Sequence, residues 1–346
     1  MPNMTQRRGI ASGGNWIVDR VKTVDCLPGR GMLANILTEK MATGGAPANV
    51  LADLARLQAP FPLSGVGVIG KDPDGDLILR TFRDLGVDME RIVVAEDVPT
   101  SYTDVMTEQA RGERTFFHCR GANARFGPEH IPVKALTCKI FHLGYILLLD
   151  RMDQPDETYG TVAARALHMV RQQGIRTSVD VVSEESDRFS VLVPPALKYV
   201  DYLIVNEIEA GRATRRKVRS PDGKLDAAAL VDVVDELHTM GAMELVAVHM
   251  PEGVYMKGRS GKPLSSGSLT LPQGFIQSTL GAGDAFCAGM LYGIHEGWDF
   301  GRAAHLGSCC AAACLSALGA SDGVKPLAEV LELGRVYPEG PPPVRV

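Results

Sequence analysis

The run Ser278-Thr279-Leu280-Gly281-Ala282-Gly283-Asp284 leads into a segment whose apolar residues, Phe286, Met290, Leu291 and Ile294, recur at helical spacing. A small-residue turn that opens a helix leaves the first backbone N–H groups without internal partners, and the helix dipole adds about half a positive charge there. Gly281 and Gly283 let the oxygens of an anion reach that backbone. Asp284 would repel a bound phosphate, so its place beside the turn calls for a second function: taking the proton from a hydroxyl lined up against that phosphate. The competing account is structural, with Asp284 capping the helix and the glycines forming a tight turn.

Two more stretches offer comparable chemistry. Gly44-Gly45 precede a helical segment at 47–57 that has Pro47 at its opening, a second helix start exposed by glycines. Asn206-Glu207-Ile208-Glu209 follows an apolar strand, and Asn206 with Glu209 three residues on spells a capping box. The same two side chains could order Mg²⁺ through its waters, because that ion keeps several waters and needs only one or two protein oxygens.

Other patterns fail on context. Gly65 to Gly70 matches a dinucleotide fingerprint, but Pro73 and Gly75 place a turn where the helix should open. Lys71 after Gly70 suggests a phosphate loop, yet Asp72 stands where that loop needs Ser or Thr. The acidic run from Asp72 to Asp76 has Leu77 and Arg83 where a calcium loop has Gly and Glu. His305, Cys309, Cys310 and Cys314 lie at helical spacing among alanines, which reads as close helix packing.

The elements that must position these residues alternate. Strands are expected at 63–69, 139–147, 176–182, 202–205 and 245–248, with helices after the turn at 72–75 and at 157–173, 207–214 and 226–240. A hairpin is expected between 254–257 and 268–271. Strands alternating with helices imply a mostly parallel sheet covered on both faces, with ligands at the carboxyl ends of its strands. Two regions of short strands, 15–42 and 100–120, flank the first helix, while 1–9 and 338–346 read as a disordered start and an extended tail.

The 346 residues suffice for one large or two ordinary domains, and 45% hydrophobic with 22% charged residues is a globular composition. A net charge of −5 offers no basic surface for nucleic acid or anionic membrane. The seven cysteines are irregularly spaced and no leader-like segment opens the chain, so reduced thiols and a cytoplasmic location are expected. The apolar run around 146–149 is far too short to span a bilayer.

Gly44-Gly45-Ala46-Pro47-Ala48-Asn49-Val50, the run from Gly65 to Gly75, Asn206-x-x-Glu209 and Thr279-x-Gly281-Ala282-Gly283-Asp284 occur together and in order. In this the chain resembles the ribokinase (PfkB) family of ATP-dependent sugar and nucleoside kinases, over roughly residues 10 to 330. The resemblance implies an α/β fold, a ribokinase-like αβα sandwich on 1–14, 43–99 and 123–346, with a small β-sheet lid on 15–42 and 100–122 that often serves as a dimer contact. It makes Asp284 the base and Gly281, Ala282 and Gly283 the anion hole; Asp19 and Asn49, with the backbone of Gly44 and Gly45, would hold substrate hydroxyls. Arg120 and Asn123 are the candidates to reach substrate from the lid side. Asn206, Thr279, Gly281 and Gly283 would serve ATP, and Asn206 and Glu209 would serve Mg²⁺.

The Gly-Gly-Ala-Pro-Ala-Asn wording is similar to the fructokinase branch, which points to a free sugar as substrate, a ketohexose for instance. A nucleoside kinase and a non-catalytic sugar or nucleotide sensor are the alternatives. Two departures stand out. Ser278 replaces an aspartate that helps the family bind a monovalent cation, so K⁺ activation should be weak. Pro251, in the stretch His249-Met250-Pro251-Glu252-Gly253, cannot donate a backbone N–H on the nucleotide side.

Overall fold

The computed structural model describes residues 7–110, 112–182, 187–241 and 243–346. Its strands are β1 (Ile10–Gly14), β2 (Ile17–Val24), β3 (Ile36–Gly44), β4 (Leu63–Gly70), β5 (Asp88–Ala95), β6 (Ser101–Glu108), β7 (Arg114–Cys119), β8 (Ile140–Ile146), β9 (Pro155–Asp156), β10 (Gly160–Thr161), β11 (Arg176–Val181), β12 (Tyr202–Asn206), β13 (Leu245–Met250), β14 (Gly253–Gly258) and β15 (Leu264–Gly267). The helices are α1 (Ala46–Arg56), α2 (Pro73–Asp84), α3 (Val162–Gln172), α4 (Phe189–Leu197), α5 (Glu207–Ala213), α6 (Ala227–Met240), α7 (Ala282–His295), α8 (Phe300–Leu315) and α9 (Leu327–Val336).

Nine strands form one sheet in the order β15-β14-β13-β12-β11-β8-β1-β4-β5. All neighbours are parallel from β5 to β13, and β14 and β15 close one edge as an antiparallel pair. The near-continuous burial of β1, β4, β8 and β13 is what a sheet covered on both faces demands. One core packs α3, α4, α5 and α6 against the sheet, and the other packs α1, α2, α7, α8 and α9. Small residues let α7 and α8 approach closely, and Cys309, Cys310 and Cys314 are buried there as small hydrophobes. Asp53 on α1 is fully buried in this region, and among the described residues neither of its carboxylate oxygens has a hydrogen-bond partner.

From β1 the chain adds β4 and β5 on one side, then returns to add β8 and its successors on the other. That reversal opens a crevice at the carboxyl ends of β1 and β8. Above it stands a separate four-stranded sheet, β3-β2-β6-β7, with a parallel β2–β6 pair at its centre and antiparallel outer pairs. The two sheets meet at Trp16, which is buried and whose Nε1 donates to the Val66 carbonyl at 2.9 Å. Here lies the reason for the glycines of β4. A Cβ at Gly67 would come within 2.4 Å of the indole, so the run that mimics a dinucleotide motif is a seat for a tryptophan.

Several expectations need correction. β1, an interior strand of the large sheet, and β5 are additions to the predicted elements, as is α4. The hairpin partner of β14 is Leu264–Gly267, whereas Leu269 makes an isolated bridge to Glu339 in the tail. Arg7 to Gly9 are tied down, Arg7 to the Leu136 and Gln173 carbonyls and Gly9 N–H to His295 Nε2; residues 1–6 lie outside the described residues. The tail is fastened as well, with Gly340 N–H donating to the Ser268 carbonyl and Val344 buried. Among the described residues no helix is long and apolar enough to cross a membrane, and all seven cysteines are free.

Candidate active site

A cleft of about 970 Å³ lies between the two sheets. Asn15, Tyr145, Asp180, Asn206 and His249 reach it from the carboxyl ends of β1, β8, β11, β12 and β13 or just beyond. Asp19, Thr103, Arg114 and His118 face it from the small sheet, and Ser278 to Gly281, Gly283 and Asp284 form a third wall.

The turn at 281–283 has the geometry of an anion site. Gly281 precedes α7 in the left-handed region, with φ 77°, and among the described residues no side chain caps the helix. A Cβ there would strike the Ala320 carbonyl at 2.2 Å, so glycine is required on both counts. The first N–H groups of α7 are thus left for a ligand. Gly281 and Gly283 line the cleft, while Ala282 contributes only to the first turn.

Asp284 is not the cap. Its Oδ2 accepts from Asn49 Nδ2 at 2.7 Å and from the Tyr145 hydroxyl at 3.4 Å, and among the described residues no hydrogen bond goes to Oδ1. Burial, with the charge of Asp180 nearby, pushes the Asp284 carboxyl up to about 7. Asp180 Oδ1 accepts from Tyr145 N–H at 2.8 Å, and Oδ2 lies 3.4 Å from His142 Nε2 beneath the cleft floor. Tyr145 therefore bonds to both carboxylates, a position it reaches with a left-handed φ of 61°.

The acceptor end is rich in unmet polar atoms. Asp19 is buried, and among the described residues no hydrogen bond goes to its carboxylate; burial raises it to about 7. Gly44 lies against it, close enough that a Cβ would sit 2.1 Å from Oδ2, and Gly45 lines the cleft. Asn15 Nδ2 and His118 Nε2 are buried without hydrogen-bond partners among the described residues. His118 is held at about 4, mainly by burial, with Arg120 adding to the effect, and burial likewise holds His249 at about 4, so both imidazoles are neutral at pH 7.

The capping box of Asn206 and Glu209 is fully formed, with Asn206 Oδ1 accepting from the N–H groups of 208 and 209 and Glu209 Oε2 accepting from Asn206 N–H. Both residues also border the cleft, as does Thr279. Arg120 and Asn123 are not among the cleft-lining residues. Arg120 donates to the Leu147 carbonyl and pairs with Asp150, and the Asn123 amide bonds to Asn15 Oδ1 and to the backbone of Trp16. Tyr145, Asp180, Asn15, Arg114 and His118 are the cleft residues that motif reading passes over. An acid inside the apolar strand 176–182 was a legible signal for Asp180.

This architecture with a phosphate-type helix start defines a phosphotransferase that uses an alcohol as acceptor. The model of the pfkB family carbohydrate kinases matches residues 8–326, and the chain belongs to that family. It is 27% identical over 306 residues to the ATP-dependent ribose-1-phosphate kinase of Halopiger xanaduensis, covering 88% of this chain and 90% of that one. It is 28% identical over 257 residues to the fructokinase of Escherichia coli, covering 72% and 76%. The solved structure of Arabidopsis thaliana ribokinase complexed with ribose and ATP has the same fold, with a TM-score of 0.77 at 22% identity over 94% of this chain and 98% of that one.

Proposed function

We propose that this protein transfers the terminal phosphoryl group of ATP to a hydroxyl of a free sugar. The observation that carries this reading is the hydrogen bond from Asn49 to Asp284 Oδ2, which leaves Oδ1 as the oxygen open to a hydroxyl proton. Among the described residues Asn15 Nδ2 and His118 Nε2 have no hydrogen-bond partner and no hydrogen bond goes to the Asp19 carboxylate, and a polyhydroxylated ligand would satisfy such a set. A sugar bound there presents a hydroxyl to Asp284, whose pKa near 7 suits proton transfer at neutral pH. The uncapped N–H groups of α7 take up charge on the transferred group.

Asn206 and Glu209 border the cleft with hard oxygen donors, which suit Mg²⁺ held largely through water. Asn206 and Glu209 would hold it, and the ion would screen the phosphate charges. Arg114 is the single Lys or Arg among the described cleft-lining residues, so no basic cluster awaits a phosphate on the acceptor; this favours an unphosphorylated sugar. The small sheet supports a homodimer, because its edge strand β3 exposes Ile36, Leu37 and Met41.

The test is ADP release from ATP and Mg²⁺ with a panel of sugars and nucleosides. Turnover is expected with a free sugar, a ketohexose among the first to try. Faster turnover of a nucleoside would replace the acceptor, and thermal stabilisation by these ligands without any turnover would make the protein a sensor.

A further inference from the structure

Arg114 rises from β7 of the small sheet and crosses the cleft, where its Nη2 donates to Ser278 Oγ at 3.0 Å. The same oxygen accepts from Leu280 N–H at 3.1 Å, which fixes Ser278 against the start of the anion turn. Ser278 is buried, and it carries no charge. By contrast, Arg20 is neutralised by Asp74, and Arg219 by Glu207 and Glu252. Arg114 has no ion pair among the described residues, although four carboxylates line the same cleft.

A guanidinium has five donors in a planar fork, of which the hydrogen bond to Ser278 uses one. What remains is a permanent positive charge with unused donors, held against Ser278, which stands three residues before Gly281. An anion seated on the α7 N–H groups would have backbone donors from the large domain, and this guanidinium would meet it from the small sheet.

Resting on the phosphoryl-transfer reading above, we infer that Arg114 is a phosphate-binding residue that donates to the terminal phosphate of the nucleotide. It would contribute most when that phosphate is present, because a nucleoside diphosphate leaves the place beside the turn empty. Arg114 thus distinguishes ATP from ADP and favours release of the spent nucleotide.

Calorimetric titration of the full chain with AMP-PNP and with ADP, both with Mg²⁺, tests this. Arg114→Ala should weaken AMP-PNP binding by about 10- to 100-fold, the worth of a charge-assisted hydrogen bond, and leave ADP binding unchanged. Arg114→Lys should recover part of the loss, since an ammonium keeps the charge but not the fork. Unchanged ADP binding also reports that the variant is folded. Equal losses for both nucleotides, or no loss for either, would overturn the inference. So would a loss confined to ribose 1-phosphate with ribose as control, which would move the arginine to an acceptor phosphate. A wild-type protein that binds neither nucleotide would sink the ATP-dependent reading itself, an outcome distinct from all of these.

Discussion

Asn49 and Asp284, separated by 235 positions in the chain, meet through a 2.7 Å hydrogen bond between the starts of two helices, α1 and α7. The bond stabilises the ionised carboxylate against a burial that drives it toward protonation. The site thus holds a base that is poised at neutrality rather than permanently charged.

Replacing Asp284 with Asn should lower kcat by about 10² to 10⁴, the usual worth of a positioned base, with little change in ligand binding. In the wild type the rate should fall as pH drops through about 7, because Asp284 must be ionised to accept a proton. A pH–rate profile flat from 5 to 8, or near-normal turnover by the Asn variant, would remove Asp284 from the chemistry.

Asn49→Ala takes away a donor that lowers the Asp284 pKa, so the acidic limb of the same profile should move to higher pH. At pH 7 the loss in kcat/KM should be about tenfold or more, in line with a hydrogen bond to a charged group. A uniform drop at every pH would mean that Asn49 serves only to bind the acceptor.

Asp53 should behave in the opposite sense to a stabilising ion pair. Burial holds its folded pKa well above the ordinary 3.8, so the folded state keeps a proton that the unfolded chain releases. Its contribution to stability therefore declines as pH rises from about 4 toward that folded pKa. Asp53→Ala should be more stable than wild type by about 1–3 kcal/mol at pH 8, and the gain should shrink toward pH 4. Urea denaturation at the two pH values reads this directly, and a gain that does not vary with pH would contradict it.

Ser278 Oγ already accepts from Arg114 and from Leu280 N–H, which leaves little electron density for a cation and places a guanidinium beside it. Exchanging Na⁺ for K⁺ should therefore change the rate by less than the several-fold expected of a cation-activated kinase. A several-fold rise in rate would show that other oxygens bind the ion.

Met41 on β3 is 51% exposed and Leu37 46%, on a strand with an unpaired edge. If the small sheets pair in solution, Met41→Glu should shift light scattering from a dimer to a monomer without changing the far-ultraviolet spectrum. A wild-type monomer would leave that apolar strand unclaimed by a second copy.

The parts of the site that could be read from sequence are those produced by local physics. A glycine turn before a helix creates free N–H groups wherever it stands, and Asp284, Gly281 and Gly283 sit in the cleft for that reason. Asp19 and Asn49 were placed through the family resemblance, and both also border the cleft. Tyr145 was hidden because its role depends on a left-handed φ that nothing about a tyrosine announces. Arg114 meets Ser278 across 164 residues, a proximity that no spacing encodes. Asn123, expected from the family resemblance to reach substrate from the lid side, has its amide engaged by Asn15 and Trp16. β1 escaped notice because Ala11, Ser12, Gly13 and Gly14 have low strand preference, and it is a strand because β4 and β8 pair with it on both sides.

The chain crosses between the two sheets four times, and the crossings converge. Asn123 bonds to Asn15 and Trp16, its own N–H donates to Ser101 Oγ, and Ser101 Oγ donates to the Arg120 carbonyl; Gly45 packs so tightly on the Asn15 carbonyl that no Cβ would fit. Across the cleft the small sheet is tied again by the Arg114–Ser278 hydrogen bond, so widening the cleft on that side would break this bond.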